Sequence, residues 1–271
     1  MFGDVPPQAI APGPVVVVVA TRIVEDRSRL SASTTVVSGA DLRNRAANDL
    51  RSALALVAGV DIAPGGDGGP AAAVPEMWGF REFDAFLLVV DGVPWGGAFN
   101  PDTATLSLQD VERIEVLRGP APVMYGATSF VGVIHVVHRA PGSGGSRFTG
   151  SVGTESSVAG SASFELPGLA GFESRVTLDA DQRGLSDDRA DFQRAHVGWR
   201  NEGELADGKL RLNLDATAVE QSPVSPVPRQ GRELSPLVPI DANYNPLSAT
   251  RTGWAAVQAR CTPRGRMARM T

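Results

Sequence analysis

The sequence lacks most of the side chains from which disulfides, metal centres and catalytic sites are built. Cys261 is the only cysteine among 271 residues, which excludes an internal disulfide and a cysteine-based zinc cluster. Two of the three histidines, His135 and His138, lie three positions apart on a predicted strand. Their side chains should therefore face opposite sides and not form a metal pair. With no nucleophile elbow or paired carboxylates either, we predict no catalytic site, no metal site and no cofactor.

Positive charge and long apolar runs are also scarce. The net charge of −5 argues against a nucleic-acid partner. No apolar run approaches the ~20 residues of a membrane helix. Residues 1–20 contain no Lys or Arg, and their longest apolar run is Val15–Ala20. The chain as it stands is therefore expected to carry no secretory signal.

What the sequence does contain is a long stretch of alternating polarity at residues 147–220. Leu210, Leu212 and Leu214, for example, alternate with charged or amide side chains. About five such strands follow one another, several of about 9–11 residues, the length that crosses an outer membrane. This pattern predicts a transmembrane barrel with a polar interior, and a soluble β-sandwich is the alternative.

Residues 15–140 mix short helices with apolar strands. Ser38 followed by Asp41 predicts one helix start, and Asn48 or Asp49 predicts a second. In the second helix Leu50, Leu54 and Val57 share a face, and Gly59 is placed to end it. The predicted strands are Val60–Ile62, Phe86–Val90 before an Asp91–Gly92 turn, Val111–Leu117 and Val131–Val137.

Several of these segments resemble, in the right order, the plug domain of TonB-dependent outer-membrane receptors. The resemblance covers about residues 15–140, and residues 147–220 look like the first barrel strands of that family. The matching segments are Val15–Arg22 (VVVVVATR), Ala58–Ile62 (AGVDI), Gly79–Phe80, Val89–Pro94 (VVDGVP), Val111–Gly126 (VERIEVLRGPAPVMYG) and Val131–Val137 (VGVIHVV).

The resemblance implies an α+β plug domain followed by the N-terminal strands of an antiparallel transmembrane β-barrel. Barrels of this family have roughly 22 strands around the plug. The implied activity is energised uptake of a scarce chelate, an iron–siderophore above all, with cobalamin, sugars or other metals as alternatives. The implied partners are TonB, the chelate and outer-membrane lipid. Outer-membrane localisation would require a signal peptide upstream.

In this family TonB pairs with an extended N-terminal segment, the TonB box, and pulls on it. A β-branched run with free backbone groups suits such strand addition. The first plug strand is the equally weighted alternative for the same run. The candidate residues are Val15, Val16, Val17, Val18, Val19, Ala20 and Thr21.

The resemblance also implies a latch between plug and barrel. Arg118, in the Arg-Gly-Pro motif, corresponds to an arginine that pairs with acidic residues of the inner barrel wall. The companion arginine is replaced here by Trp78, so either the latch is weaker or Arg81 substitutes. The candidates for ligand contact, which could equally belong to the plug core, are Trp78, Phe80, Arg81, Trp95 and Phe99.

Four segments are expected: a flexible N-terminus (1–14), the plug (15–140), partial barrel strands (147–260) with a Pro-rich loop at 221–250, and an aberrant tail (261–271). The 125 residues after position 146 supply five or six strands. A full barrel needs about 400 residues or more. We therefore expect a receptor fragment that forms no stable pore alone, and hypothesise a frameshift for the tail. The alternatives are a soluble periplasmic plug-like binding module and a non-functional remnant.

Overall fold

The computed structural model describes residues 16–17, 25–26, 33–62, 75–80, 86–95, 103–119, 131–169, 171–184, 191–205, 208–222, 229–230, 233–234 and 250–263. Two parts follow one another along the chain: an N-terminal domain within residues 33–140, and a six-stranded sheet within residues 147–263, here called the C-terminal sheet. No described helix is long and apolar enough to cross a membrane.

The N-terminal domain is built on a mixed sheet of five strands. Before it, β1 (Val16–Val17) pairs with β2 (Glu25–Asp26). The elements that follow are β3 (Ser33–Ser38), α1 (Gly39–Asn44), α2 (Leu50–Leu54), β4 (Val60–Ile62), β5 (Pro75–Met77), β6 (Phe86–Val90), β7 (Val93–Pro94), β8 (Val111–Arg118) and β9 (Gly132–His138). The five-stranded sheet has the order β3-β8-β9-β6-β7, and β4 pairs with β5.

Both helices begin at the residues that the sequence predicted. Ser38 caps α1 by accepting the backbone N–H of Asp41 at 3.1 Å. Asp49 caps α2, and its carboxylate accepts the N–H of Ser52 at 2.7 Å. The predicted end of the second helix at Gly59 is wrong, because α2 ends at Leu54 and the chain then turns tightly until Gly59.

The core of the N-terminal domain lies between the helices and the sheet. Leu50 and Leu54 of α2 are almost completely buried there, together with Leu88 and Ile134 of the two central parallel strands. Full burial of each such side chain stabilises the fold by about 1.5–3 kcal/mol. The Asp91–Gly92 turn follows directly on β6, whose five residues are all buried.

The C-terminal sheet is antiparallel throughout, and neighbours in sequence are neighbours in the sheet. Its strands are β10 (Arg147–Val152), β11 (Val158–Leu169), β12 (Phe172–Gly184), β13 (Asp191–Leu205), β14 (Gly208–Ser222) and β17 (Thr250–Pro263). Between the last two lies a small hairpin of β15 (Arg229–Gln230) and β16 (Glu233–Leu234). The described sheet is open, with β10 and β17 at its edges.

The connections of this sheet differ between its two ends. Two residues join β11 to β12 and β13 to β14 at one end, the turn end. Five, six and 27 residues make the connections at the other end, the loop end. Strand β17 runs three residues past the predicted boundary at 260, because its pairing with β14 continues to Pro263.

Candidate functional site

The two faces of the C-terminal sheet differ sharply in chemistry. Leu178 and Val197 are register partners on one face, and they are 40% and 44% exposed. On the other face charged and polar side chains are buried against the N-terminal domain. They are Ser163, Arg175, Thr177, Asp179, Asp181, Arg194, His196, Arg200, Glu202, Asp215 and Thr217. The predicted alternation is confirmed, and the N-terminal domain covers its polar face.

Nine side chains form a continuous row of alternating charge across this interface, here called the charge ladder. Its two ends belong to the N-terminal domain, and the seven residues between lie on β12, β13 and β14. In order they are Asp91, Arg200, Asp215, His196, Asp179, Arg194, Asp181, Arg183 and Asp49.

The half of the ladder near the turn end consists of short contacts. Nε of Arg200 donates to Oδ2 of Asp91 at 3.0 Å, and its Nη2 donates to Oδ1 of Asp215 at 2.8 Å. His196 then joins two carboxylates, with Nε2 at 3.2 Å from Asp215 and Nδ1 at 3.0 Å from Asp179. A carboxylate only accepts hydrogen bonds, so both ring nitrogens of His196 carry hydrogen and the ring is an imidazolium.

The half near the loop end continues the alternation. Nη2 of Arg194 lies 3.4 Å from Oδ2 of Asp179 and 4.0 Å from Oδ2 of Asp181. Nε of Arg183 donates to Asp181 at 2.8 Å, and its Nη1 reaches Asp49 at 2.5 Å. Because each buried charge has an opposite neighbour, the row avoids the large cost of an isolated buried ion.

Asp91 connects the most groups at the first end of the ladder. It sits at φ +49° in the turn, where Asp and Asn tolerate the left-handed conformation. Besides Arg200 it accepts the backbone N–H of His138 at 2.8 Å and approaches Nδ1 of that ring at 3.0 Å. Nδ2 of Asn213 adds a weak contact at 3.4 Å. Burial would raise the pKa of Asp91, but His138 and Arg200 hold that pKa well below its ordinary value.

Asp49 closes the ladder at its other end and is also the cap of α2. Burial opposes its ionisation, yet the guanidinium of Arg183 and the N–H of Ser52 keep the pKa of Asp49 lowered. Arg183 lies 5.6 Å above the ring centroid of buried Phe192, which restricts the guanidinium further. The Asp49 carboxylate thus connects the start of α2 to the C-terminal sheet.

These two carboxylates predict a loss of stability in acid. Because their folded-state pKa values are lowered, their stabilisation is fully present above the ordinary Asp pKa of about 3.9 and is lost as the pH falls through the folded-state values. We expect the urea midpoint of the chain in detergent micelles to be level near pH 6 and to fall below about pH 4. The Asp49→Asn, Asp91→Asn double variant should show a smaller fall, and an equal fall would contradict the assignment.

A second buried cluster crosses the interface at Arg175 of β12, which is 1% exposed. Its guanidinium pairs through two nitrogens with Asp110, the residue before β8, and through Nη1 with Glu165 of β11 at 2.5 Å. Nη2 also donates to the carbonyl of Gly145 at 3.2 Å and to Ser163 at 3.3 Å. Every nitrogen of this guanidinium therefore has a hydrogen-bond acceptor.

Between the two clusters, residues 103–110 lie along the polar face of the sheet. Arg194 donates to the carbonyl of Leu106 at 3.2 Å, and Ser107 donates to Asp179. Ser161 donates to the side-chain oxygen of Gln109 at 2.9 Å. This segment thus gives Arg194 a backbone acceptor and Asp179 a hydroxyl donor, in addition to their ion pairs.

The predicted site residues differ in whether the structure describes them and in whether they are exposed or buried. Of the proposed TonB box, only Val16 and Val17 lie among the described residues, where they pair with Asp26 and Glu25. Arg81 and Phe99 lie outside the described residues. Trp78 and Phe80 are exposed in a tight turn, whereas Trp95 is buried in the core of the N-terminal domain, the alternative stated for it.

Arg118 has its observed hydrogen-bond partners inside the N-terminal domain. Nη2 donates to the hydroxyl of Thr35 at 3.1 Å, and Nη1 donates to the carbonyl of Ala58. Its pairing with an acidic barrel residue stays a prediction. The ion pairs seen across the described interface have the opposite polarity, with the carboxylate on the N-terminal domain at Asp49, Asp91 and Asp110.

The sequence predicted a polar strand face within residues 147–220, Asp49 as a candidate helix cap and Asp91 as a turn residue, but it did not predict that these groups pair in a ladder. The signal that could have singled them out is the presence of both signs along one face, with Arg175 and Arg183 flanking Asp179 and Asp181 on β12. The N-terminal partners carry no such signal, because Asp91 and Asp110 come from turns that only the fold brings to the sheet.

Comparisons with known proteins relate the N-terminal domain to a described protein family. Residues 26–133 match the family described as the TonB-dependent receptor plug domain. The chain is 32% identical over 135 residues to the vitamin B12 transporter BtuB of Vibrio vulnificus, a match of 48% of this chain and 21% of that protein.

Solved structures share the fold. The ferripyoverdine receptor of the Pseudomonas aeruginosa outer membrane aligns with a TM-score of 0.72 and 17% identity, over 91% of this chain and 34% of the receptor. The ferric yersiniabactin uptake receptor FyuA of Yersinia pestis aligns at 0.58 and 23%, over 72% of this chain and 32% of FyuA.

Residues 26–133 of the chain thus match the plug-domain family of TonB-dependent receptors. Its N-terminal domain is the plug domain, and its C-terminal sheet corresponds to the start of the barrel, as predicted. It spans about a fifth of the curated relative and a third of the aligned structures.

Proposed function

We propose that this chain is the plug and first barrel strands of an outer-membrane receptor that takes up a scarce chelate, an iron–siderophore most of all, with energy supplied through TonB. The observation that carries the proposal is the charged inner face of the C-terminal sheet, covered by the N-terminal domain. A face of this kind would line an aqueous passage once the covering domain moved. Its apolar opposite face, with Leu178 and Val197, suits lipid.

The unequal connections of the sheet support an orientation in the membrane. In outer-membrane barrels, short turns face the periplasm and long loops face outward. The turn end would then be periplasmic, and the 27-residue connection would belong to the outer mouth. Asp91 would hold the plug domain near the periplasmic side, and Asp49 near the outer side.

In this proposal the charge ladder keeps the passage closed. Its direct ion pairs to the plug domain are at Asp49 and Asp91, and Asp110 adds a third through Arg175. Most remaining ladder contacts lie within the sheet and need not break when the plug domain moves. Transport would thus require rupture of a few buried ion pairs and the contacts of residues 103–110, a task suited to a pulling force.

Membrane fractionation separates this proposal from the alternative of a soluble periplasmic binding module. We expect the exported chain to sediment with outer membranes and to require detergent for extraction. A chain that stays soluble without detergent would favour the binding module instead.

The substrate is the finer part of the proposal. Iron–siderophore uptake is supported by the fold shared with ferripyoverdine and ferric yersiniabactin receptors. Cobalamin is the second candidate, because the plug sequence resembles the B12 transporter. Equilibrium binding of ferric siderophores and of cyanocobalamin to a full receptor carrying this plug would decide between them.

The proposed TonB box gives a sharper prediction. Deleting Val15–Thr21 from such a receptor should abolish energised uptake while leaving chelate affinity unchanged, because strand addition by TonB needs the free backbone of that segment. Uptake of labelled chelate and equilibrium binding are measured side by side. Loss of both would instead assign the segment to the first plug strand and sink the TonB-box assignment.

A further inference from the structure

A buried histidine supports the Asp91–Gly92 turn from inside the N-terminal domain. His135 lies on β9, directly opposite Glu115 on β8, and both are almost completely buried. Its Nδ1 is 3.4 Å from the Glu115 carboxylate, and its Nε2 is 3.0 Å from the backbone nitrogen of Gly92. Arg113 donates to the other oxygen of Glu115 at 2.8 Å. These groups form a row from β8 to the turn.

The contacts fix where the hydrogen of His135 lies. The backbone N–H of Gly92 only donates, so Nε2 must accept and carries no hydrogen. Glu115 accepts, so Nδ1 must carry the hydrogen. The neutral ring with hydrogen on Nδ1 is thus the form that satisfies both neighbours. A second hydrogen, on Nε2, would remove the acceptor of Gly92 and leave Glu115 as a counter-ion.

Water and protons have a route to this ring. A cavity of about 260 Å³ between the N-terminal domain and the sheet is lined by His135 and by the Asp91–Gly92 turn. That volume holds several waters. The charged and titratable groups that face it are Glu112 and Arg113 of β8, Asp91 of the turn, His138 of β9 with Arg139 after it, and Arg200, Glu202 and Arg211 of the sheet.

The turn that His135 supports carries the first end of the charge ladder. Gly92 follows Asp91 directly, and both have positive φ, +84° and +49°. Displacement of the Gly92 N–H therefore moves the Asp91 carboxylate, which is bonded to Arg200 across the interface. By this geometry, a proton taken up by His135 would affect the contact between Asp91 and Arg200 of the C-terminal sheet.

We propose that His135, oriented by Glu115, positions the Asp91–Gly92 turn against Arg200, and that protonation of its Nε2 releases the turn and loosens the plug domain. His135 is a positioning residue, because it acts on the interface through the Asp91–Gly92 turn. The inference goes beyond the proposed function, since it concerns acid-sensitive retention of the plug domain whatever the chelate. A receptor that fails to take up chelate would not contradict the role of His135. A failed test of His135 would not contradict chelate uptake.

The first test reads the ring directly. With ¹⁵N-labelled histidine the chain in detergent micelles shows three imidazoles, assigned by single substitutions. At pH 8 we expect His135 as the neutral form with hydrogen on Nδ1. As the pH is lowered from 8, the Gly92 amide signal should move together with the His135 ring. Hydrogen on Nε2 at pH 8, or a Gly92 signal that ignores the ring, would overturn the proposal.

The second test uses a side chain that cannot take up the proton. His135→Gln keeps an amide able to accept from Gly92 and to donate to Glu115. In the unsubstituted chain, hydrogen-exchange protection of residues 86–95, corrected for intrinsic rates, should fall about tenfold from pH 8 to pH 5, as for one lost buried hydrogen bond. His135→Gln should abolish this fall, and the control His138→Gln should retain it. A fall that persists in His135→Gln overturns the proposal.

Discussion

Replacing Arg175 with methionine should lower the free energy of unfolding by about 3–5 kcal/mol, the loss typical when one partner of a buried ion pair is removed. The reason is that Asp110, 3% exposed at its side chain, would stay buried with only the more distant Arg139, at 4.0 Å, as a cation. Urea unfolding in detergent micelles measures the change. The matched control is Arg211→Met, since Arg211 is half-exposed and pairs with Glu202. Glu202 is buried but keeps Lys209 as a second cation, and Arg211 itself is largely solvated, so the loss should be less than about 1 kcal/mol.

The double variant Asp110→Asn, Arg175→Met then separates the pair from the general cost of substitution. Asparagine fits position 110, where φ is +60°. With the unpaired charge removed, the double variant should be more stable than Arg175→Met alone. A further additive loss would show that Asp110 is not the group left uncompensated.

Asp91→Asn is expected to cost about 3 kcal/mol, because Arg200 then keeps Asp215 but loses its partner on the N-terminal domain. Asparagine preserves the shape and the left-handed turn, so the loss reports the charge. Asp61→Asn is the control, because Asp61 is an exposed carboxylate on β4 of the same domain. We expect that variant to change stability by less than about 0.5 kcal/mol. Equal losses in the two variants would contradict a specific role for Asp91.

Much of the fold follows from local chemistry that is visible in the sequence. The caps at Ser38 and Asp49 set the helix starts through short side-chain hydrogen bonds between near neighbours. The alternation from Leu210 onward required one wet and one apolar face, and the sheet has them. The ordered motifs indicated the family. Periodicity alone was compatible with both a barrel and a sandwich.

What the sequence could not supply depends on contacts between distant residues. Asp91 and Arg200 are 109 positions apart, and no local pattern pairs them. The prediction that His135 and His138 face away from each other overlooked the turn beside the end of β9, which both side chains reach. The early end of α2 at Leu54 was hidden because Val57 continues the apolar spacing into a turn and is buried there.

If the N-terminal domain is released as proposed, the polarity of the interface decides which charges stay with the sheet. Here the cations Arg175, Arg183 and Arg200 stay on the sheet, and the departing domain carries the carboxylates. After release the sheet would keep acidic neighbours for all three cations: Asp215 for Arg200, Asp181 for Arg183 and Glu165 for Arg175. The open wall would therefore remain internally paired, which lowers the cost of exposing it and favours reversible reclosure.

The interaction free energy between Asp91 and Arg200 tests the central claim most directly. It is obtained from unfolding of Asp91→Asn, Arg200→Met and the double variant, compared with the unsubstituted chain. If the charge ladder holds the N-terminal domain to the barrel wall, the two substitutions should couple by about 1.5 kcal/mol or more. Additive losses, within about 0.5 kcal/mol, would mean that this contact does not hold the domains together.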